Sequence, residues 1–166
     1  MKRLMAAAVR LIDQGFFVFP LRPGDKRPLA HFKQWEKQAT QDPDLVYKWW
    51  VNGPYNIGVA TGPSQLLVVD CDTASDDDAV DWRVAQNEVI ILGRQVPKTF
   101  SVRTPSGGLH LYFTPPKNLR LRNTAGRLGK HVDTRGVGGY VVGPGSICSG
   151  RFYLVVDHAP LAPLPC

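Results

Sequence analysis

The chain has 166 residues, 43% hydrophobic and 20% charged, which suits one globular domain with a substantial core and excludes a disordered or fibrous protein. An excess of 20 Lys and Arg over 14 Asp and Glu gives a formal charge of +6 and a pI near 9.4, favouring an anionic partner, although ordinary solubility has the same signature. Cys71, Cys148 and Cys166 are far apart with no C-x-x-C or Cys/His spacing, so a disulfide framework and a zinc module are both disfavoured.

Leu4, Met5, Ala8, Leu11 and Ile12 recur at helical spacing and Gly15 supplies a stop, so the first element is a helix. Arg10 and Asp13 interrupt this stretch and no small-residue cleavage site follows, so it is not a signal peptide. No apolar run reaches bilayer-spanning length, and the expectation is a cytoplasmic protein with no membrane partner. "FFVFPL" reads as a short buried strand ended by Pro20. "RPGDKRP" follows as an exposed loop whose Lys26 and Arg27 either meet substrate or are only solvated.

Asp42 before Pro43 is an N-cap signal for a helix through Trp50, and "NIGVATG" is a short strand or turn. After the apolar run of "LLVVDCD", an acidic first turn suited to the helix dipole predicts a helix over roughly Ser75 to Leu92. From Pro97 the pattern is β: "TFSVRT" and "LHLYF" alternate about a "PSGG" bend, and "HVDTR", "GGYVVGP" and "RFYLVV" give three more strands. "APLAPLPC" resembles the start of a linker, which divides the chain into a domain over 1–158 and a Pro-rich tail over 159–166. Helices in the first half and strands in the second argue for an α/β or α+β domain, a mixed β-sheet with flanking helices and no internal repeat.

The chemistry gathers at strand positions. Alternation sends Asp70 and Asp72 to one side of their strand with Cys71 on the other, so two negative charges share a small volume. A divalent metal compensates such a pair. Strand closure, a turn cap or a helix start would also place Asp there. His110 and Tyr112 share a face opposite Leu109, Leu111 and Phe113, a trio expected in the core, which leaves His110 facing a cleft. Asp133 and Arg135 likewise share a face, with Val132 and Thr134 opposite. Lys117, Arg120, Arg122, Arg127, Lys130 and Arg135 stand against the single acid Asp133, a segment that either tracks nucleic-acid phosphates or is a solvated loop. "RGVGGY" leads into a strand and not a helix, so it is no dinucleotide fingerprint. Trp35, Trp49 and Trp50 are either base-stacking or core residues.

In order and approximate spacing, "FPLRPGDKRP", "WW" with "NIGVATG", "LLVVDCD", "VRTPSGGLHLYF" and "VDTRGVGGYVVGPGS" resemble the primase-polymerase (Prim-Pol) domain. This is the N-terminal bifunctional DNA primase/polymerase domain of the archaeo-eukaryotic primase superfamily, and the resemblance covers about Gly15 to Ser146. It implies an archaeo-eukaryotic primase-like catalytic core. The family's D-x-D falls on Asp70 and Asp72, its S-x-x-x-H element on Ser106 and His110, and its later catalytic Asp on Asp133. One departure is "GPGS", where Gly145 stands in place of a second proline.

What the resemblance implies is a template-directed nucleotidyltransferase of phage or plasmid replication, making or extending primers from nucleoside triphosphates. Two Mg²⁺ or Mn²⁺ ions, hard cations suited to oxygen ligands, would be held by Asp70, Asp72 and Asp133. His110 would sit beside the phosphates, with Ser106, Gly107 and Gly108 offering donors and close backbone approach, unless that bend is a plain hairpin turn. Arg135 would pair with a phosphate or with a carboxylate, and Lys26 with substrate. The implied partners are a single-stranded DNA template, a primer and a helicase domain in a longer parent protein. Two other classes remain open: a metal-dependent phosphodiesterase or nuclease, and a catalytically silent DNA-binding module of a replication initiator.

Overall fold

A computed structural model describes residues 2–72, 89–91, 94–128 and 131–164. In chain order the elements are α1 (Lys2–Asp13), β1 (Val18–Leu21), α2 (Trp35–Gln38), α3 (Pro43–Trp50), β2 (Asn56–Ala60), β3 (Leu67–Cys71), β4 (Val89–Ile91), β5 (Arg94–Val96) and β6 (Ser101–Arg103). They continue with β7 (Leu109–Thr114), β8 (Val132–Arg135), β9 (Tyr140–Val142), β10 (Ile147–Cys148), β11 (Arg151–Phe152), β12 (Leu154–Asp157) and β13 (Ala162–Pro163). Helices gather early and strands late, an α+β arrangement.

Local signals account for the two longer helices. Leu4, Ala8, Leu11 and Ile12 form the buried stripe of α1, and Gly15 follows with φ 87°. The Asp42 side chain accepts from the Asp44 N–H, with Pro43 at the first helical position of α3. Two sheets follow. The smaller runs β1-β2-β9, and the larger runs β12-β6-β7-β3-β8 with β13 added to β7.

Strands β1 and β2 are buried at every position, with α1 and α3 packed against them. The main core joins residues of α1, α3, β1, β2 and β9 to Val68, Val102 and Tyr112 from one face of the larger sheet. A second, smaller core forms on the opposite face from Val69, Cys71, Leu109, Leu111 and Phe113, with Val96 against them. The Leu/Phe trio of β7 is therefore a core face as expected. The opposite face of β7 is also buried, at Tyr112 within the main core and at His110 beside it.

Three expectations change. Pro20 does not end its strand but pairs with Ile57 inside β1, where it is tolerated because β1 lies at the edge of its sheet. The helix expected over about Ser75 to Leu92 falls largely outside the described residues, and at its far end Val89–Ile91 is strand, as β-branched residues favour. The tail is held and not free. Ala162 and Pro163 pair in parallel with Phe113 and Thr114, the Leu164 N–H donates to the Thr114 carbonyl at 3.0 Å, and Ala162 and Leu164 pack on the smaller core.

The departure at "GPGS" has a conformational reason. Gly145 has φ 89°, which proline cannot adopt, and its N–H donates to the Tyr153 carbonyl at 2.9 Å. A Cβ there would also stand 2.8 Å from that of Ala7 in α1.

Candidate active site

The larger sheet assembles the site by register. Asp70 on β3 is paired with His110 on β7 and with Asp133 on β8, so the three residues form one row across adjacent strands. Residues directly opposite in a ladder point to the same side, which brings together a His and two carboxylates from segments far apart in sequence. Asp72 follows on the same side of β3, just past the strand end, where its N–H donates to the His131 carbonyl at 2.8 Å.

An open pocket of about 370 Å³, within the size range of small-molecule sites, faces Asp70 and His110 of this row, whereas Asp133 is not part of its lining. Asp70, Asp72, His110, Arg135 and Lys26 line it from the expected set. Residues from β9, namely Tyr140, Val141 and Val142, form another part of its wall. The pocket thus lies where the two sheets meet.

The row is electrostatically unequal. The His110 Nε2 lies 3.3 Å from Asp70 Oδ1, too poorly aligned to count as a hydrogen bond, and that oxygen is buried without one. Burial pushes the Asp70 carboxyl upward, but the His110 ring, Arg135 and Lys26 outweigh it and hold the carboxyl below its ordinary range. Asp72 moves the other way. Burial raises it first, and the charges of Asp70 and Asp133 raise it further, against the pull of Lys26 and His110. The two carboxyls of this pair are thus shifted in opposite directions.

Asp133 is engaged at both oxygens: Oδ1 accepts from the Gly126 N–H and Oδ2 from Arg135 Nη2, each at 3.0 Å. The same Arg135 nitrogen lies 3.8 Å from Asp70 Oδ2. Among the described residues no three His, Cys, Asp or Glu side chains are already arranged to hold a metal ion. The donor set nevertheless fits a hard cation: all are carboxylate oxygens, Asp70 Oδ1 is buried with no hydrogen bond, and Asp72 is strained by its neighbours' charge.

The basic loop divides. Lys26 is exposed on the rim of the pocket and its charge acts on both Asp70 and Asp72. Arg27 is turned to its own loop, 2.7 Å from Asp25, and this hydrogen bond holds the Asp25 carboxyl at about 2. The "PSGG" bend abuts the site without lining it. Ser106 Oγ and Thr104 Oγ1 lie 3.0 Å apart and the Gly107 N–H donates to the Thr104 carbonyl, while Thr104 reaches the pocket.

Gly108 lets β7 pass close to the end of β3. A Cβ there would overlap the Cys71 carbonyl oxygen and stand 3.4 Å from Asp72 Cα. Because that obstacle is backbone, Gly108→Ala should push β7 and the end of β3 apart, lowering stability by about 1 to 3 kcal/mol and displacing Asp72. Thermal unfolding of the variant, together with the amide shifts of residues 70–72, checks this; an unchanged melting temperature would reject the close approach.

The tryptophans separate by role. Trp50 is fully buried, Trp49 packs edge-on against Phe32, and Trp35 stacks on Phe19 with ring centroids 5.4 Å apart while lining the pocket. Tyr140, Asn123, Thr104 and Tyr153 line the pocket without having been singled out by sequence. Tyr140 carries a signal in hindsight, as the aromatic that opens a strand directly after two glycines. Asn123 carries none: its Oδ1 accepts from the Gly136 N–H at 2.9 Å, a brace that only the fold creates.

The family model of the bifunctional DNA primase/polymerase N-terminal domain, Prim-Pol, matches residues 8–166. The chain belongs to the Prim-Pol family. A comparison with curated proteins finds no match. Primase and polymerase chemistry, nucleotidyl transfer in DNA replication, is the activity this family carries in general. Asp70, His110 and Asp133, on which the resemblance led the D-x-D, His and later Asp elements to be expected, form one row, with Asp72 just beyond it. Among the described residues no helix is long and apolar enough to cross a membrane.

Proposed function

We propose that this Prim-Pol domain is a template-directed nucleotidyltransferase that extends, and less readily starts, nucleic-acid primers from nucleoside triphosphates in phage or plasmid replication. The observation that carries the reading is the register of β3, which sets Asp70 between His110 and Asp133, with Asp70, Asp72, His110, Lys26 and Arg135 lining one pocket.

Asp70 and Asp72, with Asp133 from the neighbouring strand, would hold Mg²⁺ or Mn²⁺. When bound, such ions lower the pKa of the attacking 3′-hydroxyl and neutralise charge on the leaving pyrophosphate. The chain's own groups supply the rest. His110, nearly buried, backs Asp70 at 3.3 Å and restricts the orientation of its carboxylate. Lys26 and Arg135, both lining the pocket, would offer cations to a triphosphate, the guanidinium as a fork and the ammonium as a point charge. Priming from two free nucleotides requires two substrates and a template to be held at once, an entropic demand that extension avoids.

The decisive assay incubates the chain with a labelled primer-template, Mn²⁺ and nucleoside triphosphates. Elongation is expected, with dinucleotide synthesis much weaker. Shortening of the primer would indicate a phosphodiesterase or nuclease instead, and binding without either would indicate a silent DNA-binding module.

The basic segment is the candidate contact for the template or primer backbone. Lys117, Arg120, Arg122 and Arg127 are exposed, whereas Lys130 falls outside the described residues. Thr124 bridges to Thr134 of β8, so this segment runs along the outer edge of the strand that carries Asp133. Removing Arg120, Arg122 and Arg127 together should weaken DNA binding and reduce the slope of log K against log salt by up to about 3. A slope equal to that of the parent chain would reject the assignment.

A further inference from the structure

Asp70 and Asp133 are directly opposite in the β3–β8 ladder, and like charges in that position repel. Arg135 lies against both. Arg135 Nη2 donates to Asp133 Oδ2 at 3.0 Å and stands 3.8 Å from Asp70 Oδ2, so a single guanidinium lies between the facing carboxylates. A divalent cation shared by the same two carboxylates would compete for that ground. The side chain of Arg135 is 34% exposed and lines the pocket, so it can leave toward the cavity without disturbing either core.

On the reading of the site as a nucleotidyltransferase, we infer that Arg135 is an exchangeable counter-ion, neutralising Asp70 and Asp133 in the empty site and released into the pocket as a triphosphate-binding group when a divalent cation takes its place. Guanidinium pairs with carboxylate and with phosphate through the same donor fork, so the release converts a carboxylate partner into an anion site. The two events are linked: a cation that frees Arg135 strengthens triphosphate binding, and a triphosphate that captures Arg135 strengthens cation binding by the same factor. Arg135 is in this sense a positioning residue. Lys48 supplies the control, an exposed cation on α3 that neither lines the pocket nor acts on Asp70 or Asp72.

The test measures Mn²⁺ binding without nucleotide, by the electron paramagnetic resonance of the free ion, in the parent chain, Arg135→Gln and Lys48→Gln. Arg135→Gln should bind Mn²⁺ at least about fivefold more tightly, at the low end of common coupling factors, while Lys48→Gln changes affinity by less than about twofold. With Mn²⁺ saturating, Arg135→Gln should also lose about fivefold or more in affinity for inorganic tripolyphosphate. In the parent chain, saturating Mg²⁺ should shift the Arg135 Nε–H resonance, a readout independent of how any variant folds. An unmoved resonance, or equal gains in Mn²⁺ affinity for the two variants, would overturn the exchange while leaving the polymerase reading intact. A parent chain that binds no Mn²⁺ would remove both.

Discussion

Asp70→Asn should remain folded and lose nucleotide incorporation by more than about a hundredfold, exceeding the loss typical of an outer-shell partner at a metal site. The residue occupies the centre of the row, flanked by His110 on one strand and Asp133 on the other. The substitution keeps the shape of the side chain and removes the charge that a cation would need. It also changes a neighbour in a measurable way. Burial is the leading cause of the upward shift of the Asp72 carboxyl and the Asp70 charge the next, so Asp72 should fall back toward its ordinary range in the variant.

Stability should follow the sign of the Asp70 shift. Its carboxyl is held below the ordinary value of 3.8, so its contribution is present above that pH and is lost as pH falls through the folded value. Asp70→Asn should therefore be less stable than the parent near neutrality, the two converging in strong acid. Primer extension with Mn²⁺, alongside urea unfolding at several pH values, reads both effects. Incorporation within about tenfold of the parent would remove Asp70 from the centre of the reaction.

Trp50→Ala should lower stability by about 3 to 5 kcal/mol, or roughly 6 to 20 °C in melting temperature for a chain of this size. Trp50 closes α3, is fully buried, and packs in the core that joins the helices to both sheets. Its indole N–H donates to the Tyr55 carbonyl at 2.7 Å, which fixes the turn leading into β2. The substitution leaves a cavity and an unpaired carbonyl together. Trp50→Phe, which keeps most of the volume and loses the donor, should fall between the two. A shift below about 3 °C for Trp50→Ala would mean that this core tolerates collapse around α3.

How much of this was legible beforehand depends on the range of the cause. The stripe of α1 and the Asp42–Pro43 start of α3 are set by residues within a turn or two of one another, and both elements form as read. The strand faces were legible for the same reason. Period-two alternation places Asp70 with Asp72, His110 with Tyr112 and Asp133 with Arg135, whatever the rest of the chain does.

The misreadings share a different cause. Pro20 stops a strand only where a partner needs its missing N–H, and the edge position of β1 removes that need. Ala162 and Pro163 look like linker by composition, yet they pair with the end of β7. His110 lines the pocket as read, and what was not legible is that its ring is buried there, because the smaller sheet packs on the same face of β7.

By itself, the sequence determined the residue types available for chemistry, the sides of the strands on which they fall and the family they mark. Only tertiary structure decided that β3 lies between β7 and β8 in the register that aligns Asp70 with His110 and Asp133. It also decided that Arg135 stands between two carboxylates and that Trp35 and Tyr140 complete the pocket. The physical reason is that strand register is chosen by packing across the whole domain, where a slip of one residue would turn every side chain to the other face, and no pattern within a single strand records that choice.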